Sequence, residues 1–387
     1  MQAVLSTIGR FHTFDLARQL HKRNTLKTVF SGYPVFKLRN EGLPGDKVRS
    51  FPWLHGPYMF LNPTSEWIKR PWSWQDLIWF DRFVAARLGD CDIFHAMSGS
   101  ALRSGRVAKK RGAKYICDRA SSHIRFQNEI LQEEYERQGL NFPGIDPRVI
   151  DAEEAEYDLA DAITVPSQFT RDTFLGKGIS EKKVNLVPYG VELARFHPVS
   201  SPPSNEFRVL FAGSVSIRKG IGYLLEAYDR LNHPGKRLVL AGGVQTGIEH
   251  LIGRMRARED VIFTGHLPQE KLIKIMSESH VLVLPSVEEG LAYVQAQAMA
   301  CGCPVIASTN TGARDLFDDG VEGFIVPIRS SDAIAQSLQK LADDPQLRAS
   351  MSRRSLARVS ALGGWDRYGD AMTRTFQSLL NLRTAAA

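Results

Sequence analysis

The chain has 387 residues, 43% of them hydrophobic and 24% charged, a composition that excludes a disordered or fibrous protein and, at about 150 residues per domain, points to two or three domains. Four scattered cysteines, Cys91, Cys117, Cys301 and Cys303, exclude a disulfide framework and fit a reducing compartment. The net charge of +7 is uneven: residues 1–114 hold 19 Lys/Arg against 8 Asp/Glu, and residues 129–161 hold 2 against 11, so the basic third either faces an anionic partner (phosphates, nucleic acid or an acidic membrane surface) or is simply solvated.

The N-terminus MQAVLSTIGRF lacks the basic and long apolar regions of a signal peptide, and no apolar run reaches the roughly 18–20 residues that span a bilayer. The expected location is the cytoplasm. The first half alternates strands with helices. Strand signals are Ala3–Thr7, Thr28–Phe30, Ile93–His95, Lys114–Cys117 and Ala162–Val165. A helix after Gly9 places Phe14, Ala17 and Leu20 on one face, and others span Ala101–Arg111 and the acidic Arg148–Leu159. Five of the six tryptophans (53, 67, 72, 74 and 79) crowd into residues 53–79 with Lys69 and Arg70. Such a segment suits an inner-leaflet docking patch, a Trp-rich core or an acceptor groove.

Val199–Asn205, with two prolines among serines, reads as a linker. The alternation then restarts with strands Arg208–Phe211, Arg237–Ala241, Val261–Thr264, His280–Leu284, Pro304–Ser308 and Gly323–Val326. Helices are expected at Tyr223–Asn232, Gln269–Ser277, Val294–Ala300, Ala313–Phe317 and Asp332–Ala342. Two similar α/β domains with a ligand cleft between them follow.

Two stretches carry chemistry. The strand ending at Phe211 runs into Gly213 and then Ser214 to Gly220, with Arg218 and Lys219 just before a helix. A glycine turn, a helix N-terminus and two cations suit a diphosphate, although basic loops before helices also occur as ordinary solvated turns. The second stretch is Pro285 to Ala292. Glu289 stands there at a strand end and Gln297 lies two helical turns on, both suited to sugar hydroxyls. Alternatively, Glu288 and Glu289 merely complement the helix dipole. Cys301 and Cys303 read as small buried residues at a turn rather than metal ligands.

The run PSVEEGLAYVQAQAMACGCPVIAS, with VLFAGSVSIRKGIGYLLEAY, LVLAGG, VIFTGHLPQEKLIKIMSESHVLVLPS and TGARDLFDDGVEGFIVP in order, resembles the family 4 (group 1) retaining glycosyltransferases of the GT-B fold. The resemblance is strong over about 190–350 and weaker before it, through DIFHAMSGS, DAITVPSQFTRD and VNLVPYGVELARF. It implies an α/β protein with two Rossmann-like parallel-sheet domains facing across a cleft. Their expected bounds are 1–196 for an acceptor-binding domain, 197–206 for the linker, 207–360 for a nucleotide-sugar-binding domain, and 361–387 for a C-terminal helix returning to the N-domain, with Trp365 near its start.

The resemblance also implies roles. Arg218 and Lys219 match the basic pair on the donor diphosphate, and Gly9 and Gly213 match the phosphate loops. Glu289 matches the first Glu of the family's Glu-x7-Glu motif, whose second Glu, on the ribose, is Gln297 here. Ser214 stands where the phosphate loop often has Arg. Gly265 and His266 match the turn at the nucleotide base, and Gly290, Leu291 and Ala292 border the donor sugar. The family's N-domain His corresponds to Asp118 by register and to His123 by residue type. These features imply retaining, metal-independent transfer from a nucleotide diphosphate sugar, as co-substrate with no other cofactor, to a saccharide or lipid-linked acceptor. A role in exopolysaccharide or cell-envelope glycan synthesis and a peripheral membrane location accompany that expectation, with no nucleic-acid partner. The rival readings are a non-catalytic nucleotide-sugar-binding GT-B protein, an epimerase of the same fold, and a nucleic-acid binder.

Overall fold

The computed structural model describes residues 1–61 and 66–384. Its strands form two wholly parallel sheets. The N-domain sheet contains β1 (Ala3–Thr7), β2 (Leu26–Ser31), β3 (Val48–Ser50), β4 (Ile93–Met97), β5 (Lys114–Asp118), β6 (Ala162–Val165) and β7 (Val184–Leu186), in the order β3-β2-β1-β4-β5-β6-β7. The C-domain sheet contains β8 (Phe207–Ala212), β9 (Lys236–Ala241), β10 (Val261–Gly265), β11 (Val281–Leu284), β12 (Val305–Ser308) and β13 (Gly323–Val326), in the order β10-β9-β8-β11-β12-β13. Residues 197–206 between them contain neither helix nor strand.

Central strands β1, β4, β6, β11 and β12 are buried along their whole length. Helices cover both faces of each sheet, so these strands read as mainly apolar runs without polar alternation. The two strands that periodicity did not reveal, β3 and β7, are three-residue edges. They bury little and carry almost no pattern. The expected helix Ala313–Phe317 is only a 3-10 turn, Ala313–Asp315, entered from Gly312 in the left-handed region.

The Trp-rich segment forms two helices, His55–Leu61 and Glu66–Arg87, the second with Pro71 inside. Trp53 is 76% exposed and Trp79 46%, whereas Trp72 and Trp74 are half-buried. Residues 62–65 and the side chain of Trp67 lie outside the described residues. Among the described residues no helix is long and apolar enough to cross a membrane.

The final helix, Gly364–Thr384, returns to the N-domain. Tyr368, Met372 and Phe376 are buried with Leu5, Phe14, Ala17 and Leu20 of β1 and helix Thr13–Lys22. Lys22 pairs with Asp366 at 3.0 Å and Arg23 with Asp370 at 2.6 Å. These exposed pairs fix the helix's register more than its stability. The apolar face holds it. Phe376→Ala should destabilise the N-domain by about 3–5 kcal/mol, the cost of deleting a buried ring. Urea unfolding followed by circular dichroism checks this against Lys22→Ala, which should cost less than about 1 kcal/mol.

Candidate active site between the domains

The carboxyl ends of the N-domain strands face the C-domain loops. This follows from contacts made just beyond β5 and β6. A Cβ at Gly290 would lie 1.8 Å from the Ala120 carbonyl oxygen, so only glycine permits the approach. Ser167 Oγ donates to the Gly290 carbonyl at 2.7 Å, and the Gln168 N–H donates to Asp315 at 3.0 Å.

Glu288 is the centre of this interface. It is fully buried. Its Oε1 accepts from Ser121 Oγ at 2.6 Å, Ser122 Oγ at 2.6 Å and the Ser122 N–H at 3.1 Å. Its Oε2 accepts from Gln127 Nε2 at 2.9 Å and Arg218 Nε at 2.8 Å. Burial raises the Glu288 carboxyl's pKa, but Arg218 and the two serines outweigh this and hold it at about 2. A buried carboxylate with this many donors is satisfied rather than stranded.

Arg218 also donates from Nη2 to Ser121 Oγ at 3.3 Å. Among the described residues its hydrogen bonds use Nε and Nη2. Lys219 Nζ bonds the Glu289 carboxylate. The two cations therefore sit beside the two carboxylates at the domain boundary. Lys219 also lies over the first phosphate-loop glycine, since a Cβ at Gly213 would be 3.9 Å from its Cε.

That loop opens into a cavity of ≈ 310 Å³ lined by Gly213, Ser214, Gly242, His266, Tyr293 and Gln297. Gly242 packs so closely on Gly213 that a Cβ there would meet its carbonyl oxygen at 1.8 Å. Gly265, in the left-handed region with φ +65°, makes the turn that carries His266. A second cavity of ≈ 200 Å³ shares Tyr293 and Gln297 and adds Asp15, Glu192 and Trp365. The structure thus brings Gly213, His266 and Gln297 around one space, with Lys219 and Arg218 leading from it to the N-domain. Leu291 and Ala292 are buried, Leu291 against Gly312, and line neither cavity. Gly9 follows β1, and its carbonyl accepts from Ser31 Oγ at 3.3 Å.

The two N-domain candidates differ. Asp118 ends β5 and is buried. It accepts from His12 Nε2 at 2.5 Å and Thr164 Oγ1 at 2.6 Å, and His95 Nε2 is 3.8 Å away. Burial raises its pKa, and His12 and His95 outweigh this to hold it at about 2. His123 caps helix Ile124–Arg137. Its Nδ1 accepts from the Arg125 N–H at 3.2 Å, and its ring packs 5.1 Å from Tyr157 and 5.0 Å from Phe174. Burial pushes its pKa down to about 4, so it is neutral at pH 7 and faces the N-domain core.

Sequence reasoning missed two features. His12, three residues after Gly9, packs its ring tilted against Tyr189 with centroids 4.3 Å apart, and Tyr189 stacks on Tyr293 of the C-domain at 5.0 Å. Ser121, Ser122 and Gln127 are partners of Glu288 that no local signal reveals, because they lie 161 to 167 residues from it in sequence. Among the described residues no group of three or more His, Cys, Asp or Glu is placed to hold a metal ion.

An ordinary glutamate titrates near 4.5 and Glu288 near 2, so its stabilisation is complete above pH 4.5 and is lost as pH falls toward 2. Melting temperature measured from pH 5 down to 2 should fall less steeply for Glu288→Gln than for the wild type, with Asp118 retaining part of the slope.

The model for "Glycosyl transferases group 1" matches residues 194–358, and that for "Glycosyltransferase Family 4" matches residues 10–195. Alpha-D-kanosaminyltransferase of Streptomyces kanamyceticus is 29% identical over 175 residues, 44% of this chain and 45% of that protein. The chain spans about half the length of the curated relatives it matches. Among solved structures, HepE of Anabaena with UDP and glucose superposes with a TM-score of 0.73 at 18% identity, over 98% of this chain and 100% of that one. Sucrose-phosphate synthase of Thermosynechococcus elongatus gives 0.75 at 22% identity over the whole of both chains. The fold is therefore GT-B, and the adjoining matches across residues 10–358 show that this chain belongs to the family 4 (group 1) glycosyltransferases.

Proposed function

We propose that the chain is a retaining, metal-independent glycosyltransferase that moves a sugar from a nucleotide diphosphate sugar to a saccharide or lipid-linked acceptor. The observation that carries this reading is the Arg218, Lys219, Glu288 and Glu289 cluster, set between the Gly213 cavity and the N-domain edge. Diphosphate departure concentrates negative charge on oxygens, and two cations fixed beforehand stabilise that charge without reorganising. Glu288 holds the Nε edge of Arg218, so the outer edge is the one that meets phosphate. Lys219 exchanges Glu289 for the diphosphate, which frees Glu289 for sugar hydroxyls. Gln297, facing the cavity with His266, takes the ribose, and Asp118 lies on the acceptor side. Closure around the cleft excludes water from the donor.

UDP is the first nucleotide to test, since the HepE structures contain UDP, glucose or UDP-glucose. Arg218→Ala should lower kcat/KM for the donor by about 10²-fold or more, as loss of a fixed charge-stabilising donor does. Gln297→Glu should tighten UDP binding several-fold, because a carboxylate makes stronger hydrogen bonds to ribose hydroxyls. Initial-rate kinetics and calorimetric titration check these two results. NMR of the first-formed product reports whether the anomeric configuration is kept. The rival reading, a non-catalytic nucleotide-sugar binder, draws on Gln297 and on His123 capping a helix. It predicts donor binding without donor hydrolysis or transfer.

A peripheral membrane location forms part of the proposal. It is supported by Trp53, Phe60 and Leu61, which are 76%, 88% and 61% exposed beside a basic N-domain. The chain should sediment with vesicles containing phosphatidylglycerol, and Phe60→Ser with Trp53→Ser should reduce the bound fraction severalfold.

A further inference from the structure

A cavity of ≈ 430 Å³ lies at the far edge of the C-domain sheet. Two of the residues that line it, His280 and Pro304, directly precede β11 and β12. Glu288 and Glu289 instead follow β11. That strand of four residues sets the cavity about 13 Å from the donor cluster. Three other pieces of chain close the cavity: the linker through Pro198 and Ser200, the turn at Cys301 and Gly302, and helix Pro345–Leu362. Hydrogen bonds join them to their neighbours. The Val199 N–H donates to Ser277 Oγ at 3.2 Å, and Ser352 Oγ donates to the Gly302 carbonyl at 2.6 Å. The linker is one crossing of the chain between the domains. Helix Pro345–Leu362 leads through Gly363 into helix Gly364–Thr384, which makes the other.

The cavity is basic. Arg348 and Arg353 line it, and among the described residues no Asp or Glu does. Arg348 is half-buried. Its Nη1 donates to the Leu341 and Ala342 carbonyls, and its guanidinium lies 5.4 Å from the centroid of the Phe207 ring. The neighbouring Asp344 carboxylate is occupied as the cap of helix Pro345–Leu362, accepting from the Gln346 and Leu347 N–H groups. His280 Nδ1 accepts from the Arg208 N–H at 2.9 Å, which leaves its proton on Nε2 as a further donor. Burial and Arg348 push the His280 pKa down to about 4, so the ring carries that single proton at pH 7. Ser200 Oγ is buried without a hydrogen-bond partner, a state that is rare in folded proteins. Ser279 and Ser352 spend their protons on the Ile275 and Gly302 carbonyls, so what remains to them is lone pairs.

We propose that this cavity, apart from the donor cleft, binds a small phosphomonoester that carries hydroxyl groups, of the polyol or sugar phosphate class. Its volume of ≈ 430 Å³ falls within the range of about 300–1,000 Å³ usual for small-molecule sites. The two guanidinium groups and the His280 N–H meet the phosphate oxygens, which accept several charge-assisted hydrogen bonds at once. The ligand's hydroxyls donate to Ser279 and Ser352 and either donate to or accept from Ser200. The occupant bridges the linker and helix Pro345–Leu362, so it sits against both routes by which the chain passes between the domains.

The test is calorimetric titration of the full chain with glycerol 3-phosphate, inorganic phosphate and glycerol. Glycerol 3-phosphate should bind saturably, inorganic phosphate severalfold more weakly for want of hydroxyls, and glycerol at least about tenfold more weakly. Arg353 is exposed, so Arg353→Ala should fold, and it should weaken glycerol 3-phosphate binding about tenfold through loss of a charge-assisted contact. Ser200→Ala, which removes the unpartnered hydroxyl, should weaken it about threefold. Circular dichroism melting verifies that both variants are folded. Arg218→Ala, which alters the donor cluster, should leave glycerol 3-phosphate binding unchanged. The proposal is overturned by no binding to the wild type, by glycerol or inorganic phosphate binding as tightly as glycerol 3-phosphate, or by binding that Arg353→Ala and Ser200→Ala leave unchanged. Binding lost in Arg218→Ala alone overturns it too and assigns the phosphate to the donor cluster. None of these titrations contains UDP, so failure of this site leaves the donor reading intact.

Discussion

One buried carboxylate holds the interface together. Glu288 has no access to water, and an ionised group in that position is tolerable only when nearly every lone pair is met. Ser121, Ser122 and Gln127 from the N-domain and Arg218 from the C-domain meet them. Relative domain motion is the default for two α/β units joined by a linker. Here such motion must break hydrogen bonds to a buried charge. The same carboxylate fixes one edge of Arg218. Domain position and the orientation of the cation are thus set by one group.

Around that point the sheets act as scaffolds. Parallel strands bring their carboxyl ends to one edge, and two such edges facing each other place loops far apart in sequence within contact. Gly290 against Ala120 and Gly242 against Gly213 are positions where a single Cβ would separate the loops by more than an ångström. The returning helix Gly364–Thr384 closes the arrangement from behind, and Trp365 and Tyr368 meet Tyr293 and Tyr189 beside the cleft. In the proposed donor site, the aromatic column His12, Tyr189 and Tyr293 stands next to the nucleotide and links it to Asp118.

Much of this was legible in the residues. The buried, mainly apolar central strands announced themselves, and the ordered motifs from Val209 to Pro327 identified both family and fold. Short edge strands such as Val48–Ser50 did not, because three residues with little burial make no pattern. Among the site residues, Gly213, His266 and Gln297, each tied to a local turn or helix, line one cavity. The residue type of His123 suits proton transfer, and its ring caps a helix and packs on Tyr157 and Phe174. Glu288 and Glu289 are adjacent, and sequence gave no reason to send one into the interface and leave the other on Lys219. That division depends on which side of the loop faces Ser121 and Ser122, a tertiary fact.

The central claim is that Glu288 positions Arg218 for the donor diphosphate. A double-mutant cycle on UDP binding tests it most directly, with Glu288→Gln and Arg218→Ala alone and together, measured by calorimetry. Glu288→Gln should weaken UDP binding when Arg218 is present and have no further effect once Arg218 is alanine. Equal losses from Glu288→Gln in both backgrounds, or no loss in either, would contradict it.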